Sequence, residues 1–100
     1  MSAPVEVDLP HSLGRAEARR RVEQRFGKLS GWIPGGQVTE HRWEGDTLSF
    51  SVSAMGQRVA ARVDVLDAVV RVRLELPMML GIFAEQIQAA LKANGPKLLQ

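Results

Sequence analysis

From Thr47 to Leu76 the chain alternates apolar and polar side chains through three consecutive runs. Leu48, Phe50, Val52 and Ala54 are separated by Ser49, Ser51 and Ser53. Val59, Ala61, Val63 and Val65 oppose Arg58, Arg62 and Asp64, and Val70, Val72, Leu74 and Leu76 oppose Arg71, Arg73 and Glu75. Successive side chains of an extended strand point to opposite faces, so this period of two gives each run one apolar face and one polar face. The connections at Met55-Gly56 and around Asp67 are too short for anything but neighbour pairing. An antiparallel meander covered on one side follows. A further strand, Gln37 to Trp43, precedes the tight turn Glu44-Gly45-Asp46. Its parity is poor: Val38 shares a face with Glu40 and Arg42, while Thr39, His41 and Trp43 take the other.

The apolar face needs a cover, and the flanks of the meander supply it. Val5, Val7 and Leu9 alternate with Glu6 and Asp8 as a half-buried strand that Pro10 ends. From Leu13 to about Gly31 the period lengthens, and Ala18, Val22, Phe26 and Leu29 stack on one helical face. Ser12 is one cap for this helix; Gly14, with Glu17 three places on, is the competing start. Gly27 costs the helix about 1 kcal/mol relative to alanine, so its last turn frays. Trp32 and Ile33 close the segment against the sheet before Pro34-Gly35-Gly36 breaks it. Pro77 stops the last strand and opens a second helix, whose inner face is Leu80, Phe83, Ala84, Ile87, Ala90 and Leu91. Asn94-Gly95-Pro96 ends it and leaves Lys97 to Gln100 as a short tail. The expected fold is α+β, in the order β-α-β-β-β-β-α: a single five-stranded, mostly antiparallel sheet of order 2-3-4-5-1 with two helices on one face, forming one domain over residues 1–100. A chain of this length buries roughly two thirds of its extended surface.

Composition narrows the function. Thirteen Lys and Arg, ten of them Arg, face eleven Asp and Glu, for a net charge of +2. That excess is too small to hold phosphate by total charge; attraction to nucleic acid would have to come from local clustering. The absence of cysteine removes disulfides, thiolate ligands and thiol nucleophiles. The opening MSAPVEVDLP has neither a basic region nor an apolar core of a secretory leader, and no run approaches 18 apolar residues. A cytoplasmic, non-spanning protein is expected, with no cofactor.

Two basic patches stand out. In RAEARRRVEQR, Arg21, Arg25 and Lys28 share one flank of the first helix, Arg15 and Arg19 the other, and Arg20 points outward. They form either an anion-facing or partner-facing helix, or a solvated face on which Glu17 pairs with Arg21 at i,i+4. On the outer face of the sheet, Arg58, Arg62, Arg71 and Arg73 are diluted by Asp64 and Glu75. A single-strand-binding sheet needs aromatic side chains there, and only Trp43, at the rim, offers one. His11 and His41 lack metal-ligand spacing, His11 reads as a capping or surface residue, and Ser53, His41 and Asp64 carry no nucleophile-elbow signature. An enzyme is not expected.

The stretch LPMMLGIFAEQI raises the remaining question. Leu80, Phe83, Ala84 and Ile87 define the inward stripe, which leaves Met78, Met79 and Ile82 beside it or outside it. Either Met79 and Ile82 widen the core contact toward the first helix, or the three make an exposed apolar edge for self-association or docking.

Three segments, PHSLGRAEARRRV, RWEGDTLSFSVSAMGQRVAARVDV and LELPMMLGIFAEQI, together resemble the polyhydroxyalkanoate-system protein family, small proteins encoded with the machinery of bacterial storage-polyester granules. The resemblance covers nearly the whole chain and rests on Pro10, His11, Leu13, Gly14, Ala18, Arg21, Trp43, Gly45, Phe50, Gly56, Leu76 and Pro77. Met78-Met79 stands where bulkier Trp or Leu is expected. The resemblance implies a granule setting and supplies no mechanism. The expected function is therefore that of a non-enzymatic accessory protein whose Met78, Met79 and Ile82 edge, rimmed by Arg21, Arg25 and Lys28, binds the polyester granule surface, another granule protein or a second copy. Two alternatives stand beside it: a carrier holding an acyl or hydroxyacyl ligand between sheet and helices, and a weak nucleic-acid-binding or regulatory protein.

Overall fold

The computed structural model describes residues 2–33 and 35–99, without the side chains of Ser2, Ala3, Leu29, Ser30 and Trp32. The places expected for Leu29 in the core, for Trp32 as a lock and for Pro34 in the break therefore lie outside the described residues. Five strands form one antiparallel sheet: β1 (Ser2–Pro10), β2 (Gln37–Glu44), β3 (Thr47–Ala54), β4 (Gln57–Val65) and β5 (Val69–Pro77). Their order, β1-β5-β4-β3-β2, is the expected one. β1 runs antiparallel beside β5, with Val5 opposite Leu74 and Leu9 opposite Val70. Helices α1 (Arg15–Arg25) and α2 (Ala84–Asn94) cover one face.

The alternation governs the packing. Val5, Val7 and Leu9 join the apolar positions of β3, β4 and β5 in one core with Ala18, Val22, Leu80, Ile87 and Leu91. Removing this much apolar surface from water is the main force holding the two layers together.

Four details of the fold differ from expectation. First, α1 is shorter: it starts after Gly14, whose φ of 80° suits glycine, and Ser12 makes no cap. Beyond Arg25 the chain tightens into a 3₁₀ segment, Phe26–Trp32, in keeping with the weak helix interior at Gly27. Second, β2 carries a bulge between Val38 and Glu40. Val38 pairs with Val52, His41 with Phe50 and Trp43 with Leu48, so all three side chains lie on the helix side and Glu40 and Arg42 lie outside. Thr39 absorbs the extra residue and donates its hydroxyl to the Ser51 carbonyl. Third, Pro77 leads into a 3₁₀ segment, Met78–Phe83, before α2 begins. Fourth, Asn94-Gly95-Pro96 does not release a tail. Gly95 keeps right-handed helical geometry (φ −51°, ψ −43°), and Gly95–Leu99 continues as a 3₁₀ segment that buries Leu98 and Leu99.

Candidate functional site

Met78, Met79 and Ile82 are exposed by 70, 61 and 82%. The local helix type explains this. With three residues per 3₁₀ turn, side chains at i and i+3 eclipse. Leu80 and Phe83 therefore stack on the inner side, where Leu80 is fully buried and Phe83 packs against the core. Met79 and Ile82 stack on the outer side for the same reason, and Met78 stands next to Pro77. The reading in which Met79 and Ile82 widen the core contact does not hold.

A fourth large apolar side chain belongs to the same end of the sheet. Met55, 57% exposed, occupies the β3–β4 turn, where Ala54 pairs with Gln57. β4 and β5 pair up to Ala60 with Glu75, two residues short of Pro77, so this turn and the Met78–Phe83 segment crown the same strand ends. Met55 has φ 53° and Gly56 φ 74°. Two consecutive positive φ values make a type I′ turn, whose first position favours Asn, Asp or Gly. A methionine there opposes local preference, and that was the available sequence signal for a residue first assigned only to a turn.

The basic residues have other partners. Arg21 donates to Glu17 at 2.7 Å, the i,i+4 pair expected of a solvated face, and to the Leu99 carbonyl at 2.7 Å. Leu99 follows α2 while Met78 precedes it, so Arg21 stands at the opposite end of α2 from the methionines. Arg25 ends α1 and is half-buried; Lys28 is exposed in the Phe26–Trp32 segment, which touches α2. Arg15 reaches Asp46 and Asp67, tying α1 to two turns. Arg19 lies 4.1 Å above the Trp43 ring, a cation–π contact. Trp43 is thus under α1 and not on the outer rim, and its buried indole N–H has no hydrogen-bond partner among the described residues.

The histidines are structural. His11 donates from Nε2 to the Leu66 carbonyl, and its Nδ1 accepts the Leu13 N–H, a capping role that fixes the tautomer. His41 lies 4.9 Å from the Phe26 ring, which in turn lies 5.3 Å from Phe50. No group of three or more metal-capable side chains occurs among the described residues.

Glu17 titrates far from its usual range. Hydrogen bonds from Arg20 and then Arg21 hold its carboxyl down from 4.5 to about 2. A carboxyl depressed in the folded state stabilises that state above its unfolded value and loses this contribution as pH falls toward the folded value. Wild type is therefore expected to be more stable than Glu17→Gln at neutral pH. The difference closes as pH falls from about 4.5 to about 2. Chemical denaturation of both proteins at several pH values checks this; a constant difference would detach Glu17 from the effect.

The outer face of the sheet is polar and paired. Arg58 bonds Glu40 and the buried Ser51 hydroxyl, Arg62 bonds Asp64, Arg71 bonds Asp8, and Arg73 bonds Glu75 and Glu6. Small residues Ser49, Ser51 and Ala60 form the floor of an open trough of about 620 Å³ between these side chains. This cavity lies on the face away from the helices. On the helix side, Leu48, Leu74, Leu80, Ile87, Leu91 and Leu98 are fully buried, and the ligand-carrier reading gains no support from the packing.

The architecture defines a small two-layer α+β protein with a greasy crown at one end, an ion-paired open sheet and no assembled reaction centre among the described residues. The chain belongs to the polyhydroxyalkanoic acid system protein family: the model described as "Putative polyhydroxyalkanoic acid system protein" matches residues 5–99, nearly the whole chain. With that membership comes the family's granule-associated accessory character. No curated protein and no solved structure matches. No helix among the described residues is long and apolar enough to cross a membrane.

Proposed function

We propose that the protein docks on the apolar surface of the storage-polyester granule through Met78, Met79 and Ile82. One observation carries this reading: three large apolar side chains stand exposed in a single six-residue 3₁₀ segment. Apolar side chains gathered on one exposed edge, as opposed to scattered singly, are the kind of surface that serves contact with a partner. Methionine also suits a surface of irregular shape, because its flexible thioether adapts to varied contacts. Covering roughly 200 Å² of such surface is worth about 5 kcal/mol before association costs, which assists docking but is weak as a sole anchor.

Cosedimentation with purified polyester granules tests the proposal. The double variant Met79→Glu, Ile82→Glu is expected to lose at least about tenfold in apparent affinity, since it removes two apolar contacts and places two charges against a dry surface. Its urea midpoint should stay close to that of wild type, because both side chains are exposed. Equal recovery of the two proteins on bare polymer would overturn the reading. Loss confined to granules that retain their coat proteins would move the contact to a protein partner.

A further inference from the structure

The outer face of the sheet carries a charge pattern that the granule contact does not use. The strand register aligns its side chains in rows across the sheet. One row is Glu40, Ser51, Ala60 and Glu75. The next is Arg42, Ser49, Arg62 and Arg73, completed at the edge by Glu6. Beyond it come Glu44, Thr47 and Asp64, then Arg71 and Asp8. On the other side of the first row, Arg58 stands opposite Ser53. Along β4 the outward series is thus Arg58, Ala60, Arg62, Asp64, and the rows alternate basic, acidic, basic, acidic, with exceptions toward β1.

We infer that this face is the interface of a homodimer, its partner being a second copy of this chain related by a two-fold axis. An alternating series is self-complementary only for certain symmetry operators. A two-fold axis parallel to the strands lays each row on itself, arginine on arginine. An axis parallel to the rows and midway between the glutamate row and the arginine row does the opposite. It places each strand over its own copy and sets Arg73 against the partner's Glu75, Arg42 against the partner's Glu40 and Arg58 against the partner's Asp64. Arg62 then comes down over the partner's Ala60, into the trough floored by Ser49, Ser51 and Ala60.

Two features of the isolated chain agree with this arrangement. Arg62 and Arg73 are direct cross-strand partners, and like charges so placed repel. Asp64, Glu75 and Glu6 of the same chain offset part of this at 3.0–3.4 Å, and the partner's Glu75 set against Arg73 adds a further carboxylate. In addition, β3 presents only serines between Thr47 and Ala54 on this face, which leaves depth for the partner's longer side chains. Five strands spaced by about 4.8 Å, each about eight residues of 3.3 Å, offer roughly 600 Å² of projected area before side-chain relief, near the roughly 800 Å² per partner of a standard interface. Facing sheets cross at about 30°, which preserves the two central rows and weakens the corners. A weak, salt-sensitive dimer follows.

Sedimentation equilibrium of the full chain, at about 30 mM and about 500 mM salt, tests it. Dimer is expected at low salt and monomer at high salt. Ala60 is exposed and tolerates either charge, so it reads the facing residue by sign. Ala60→Glu should tighten the dimer about tenfold and Ala60→Arg should loosen it about tenfold, each substitution counting twice across the two-fold axis. A monomer at every concentration at low salt would overturn the inference. So would a dimer whose affinity ignores both Ala60 variants, or one lost in Met79→Glu, Ile82→Glu; the latter would place self-association on the apolar crown.

Discussion

Replacing Leu98 by alanine should lower the unfolding free energy by about 2–5 kcal/mol, the usual cost of removing a large apolar side chain from a packed core. Leu98 is fully buried although it follows the sequence Asn94-Gly95-Pro96, which ordinarily ends a helix and frees what comes after it. The 3₁₀ segment that carries it packs against both α1 and α2. Arg21 also reaches from α1 to the carbonyl of Leu99, so this terminal turn closes the gap between the two helices. Urea unfolding at an unchanged slope gives the measurement, with Lys97→Ala as the control because Lys97 is exposed on the same turn and should shift stability by no more than about 0.5 kcal/mol. Equal midpoints for Leu98→Ala and wild type would mean that the last turn contributes nothing to the core.

Leu98, buried beyond a helix-stop sequence, marks a limit to what the sequence of this fold makes legible. β3, β4 and β5 could be read directly, because a strict period of two in apolar residues admits one set of faces, and short turns admit one pairing. β1 followed from economy, as its apolar face had to join the same core and the edge beside β5 was open. β2 was less legible because its register depends on β3. Val38 and Trp43 are five residues apart, which puts them on opposite faces of a regular strand and on one face of a strand with a single bulge; that odd spacing was the clue. The apolar crown was half legible. Leu80 and Phe83, three apart, fit either helix type, and only the 3₁₀ geometry after Pro77 aligns Met79 with Ile82 outside. In the arginine-rich helix, the Glu17–Arg21 pair is written in the local spacing. The attachments of Arg15 to Asp46 and Asp67 and of Arg19 to Trp43 span long separations that helical periodicity cannot encode.

Gly95 supplies the second large effect, through its coupling to Leu9. Its backbone is right-handed helical, so nothing in its φ and ψ requires glycine, and alanine would ordinarily stabilise such a position by about 1 kcal/mol. A Cβ built there would meet Leu9 at 2.5 Å from Cδ2, 3.0 Å from Cδ1 and 3.3 Å from Cγ. Both branches of the leucine are in the way, and Leu9 is 95% enclosed by the core, so no simple rotation clears the space. Overpacking of this kind costs about 1–3 kcal/mol, which cancels or exceeds the helix gain. Gly95→Ala in the wild-type background should therefore be neutral or destabilising, with about 1 kcal/mol lost as the central expectation. Leu9→Ala alone should cost about 2–5 kcal/mol through the cavity it opens. In the Leu9→Ala background the clash is gone, and Gly95→Ala should become stabilising by up to about 1 kcal/mol, with its methyl refilling part of the cavity. The double-mutant cycle is then non-additive by about 1–3 kcal/mol. This reversal of sign separates close approach from backbone conformation: a glycine needed for its φ would destabilise in both backgrounds alike, and additive effects would show that α2 and β1 can part by the width of a methyl group without cost.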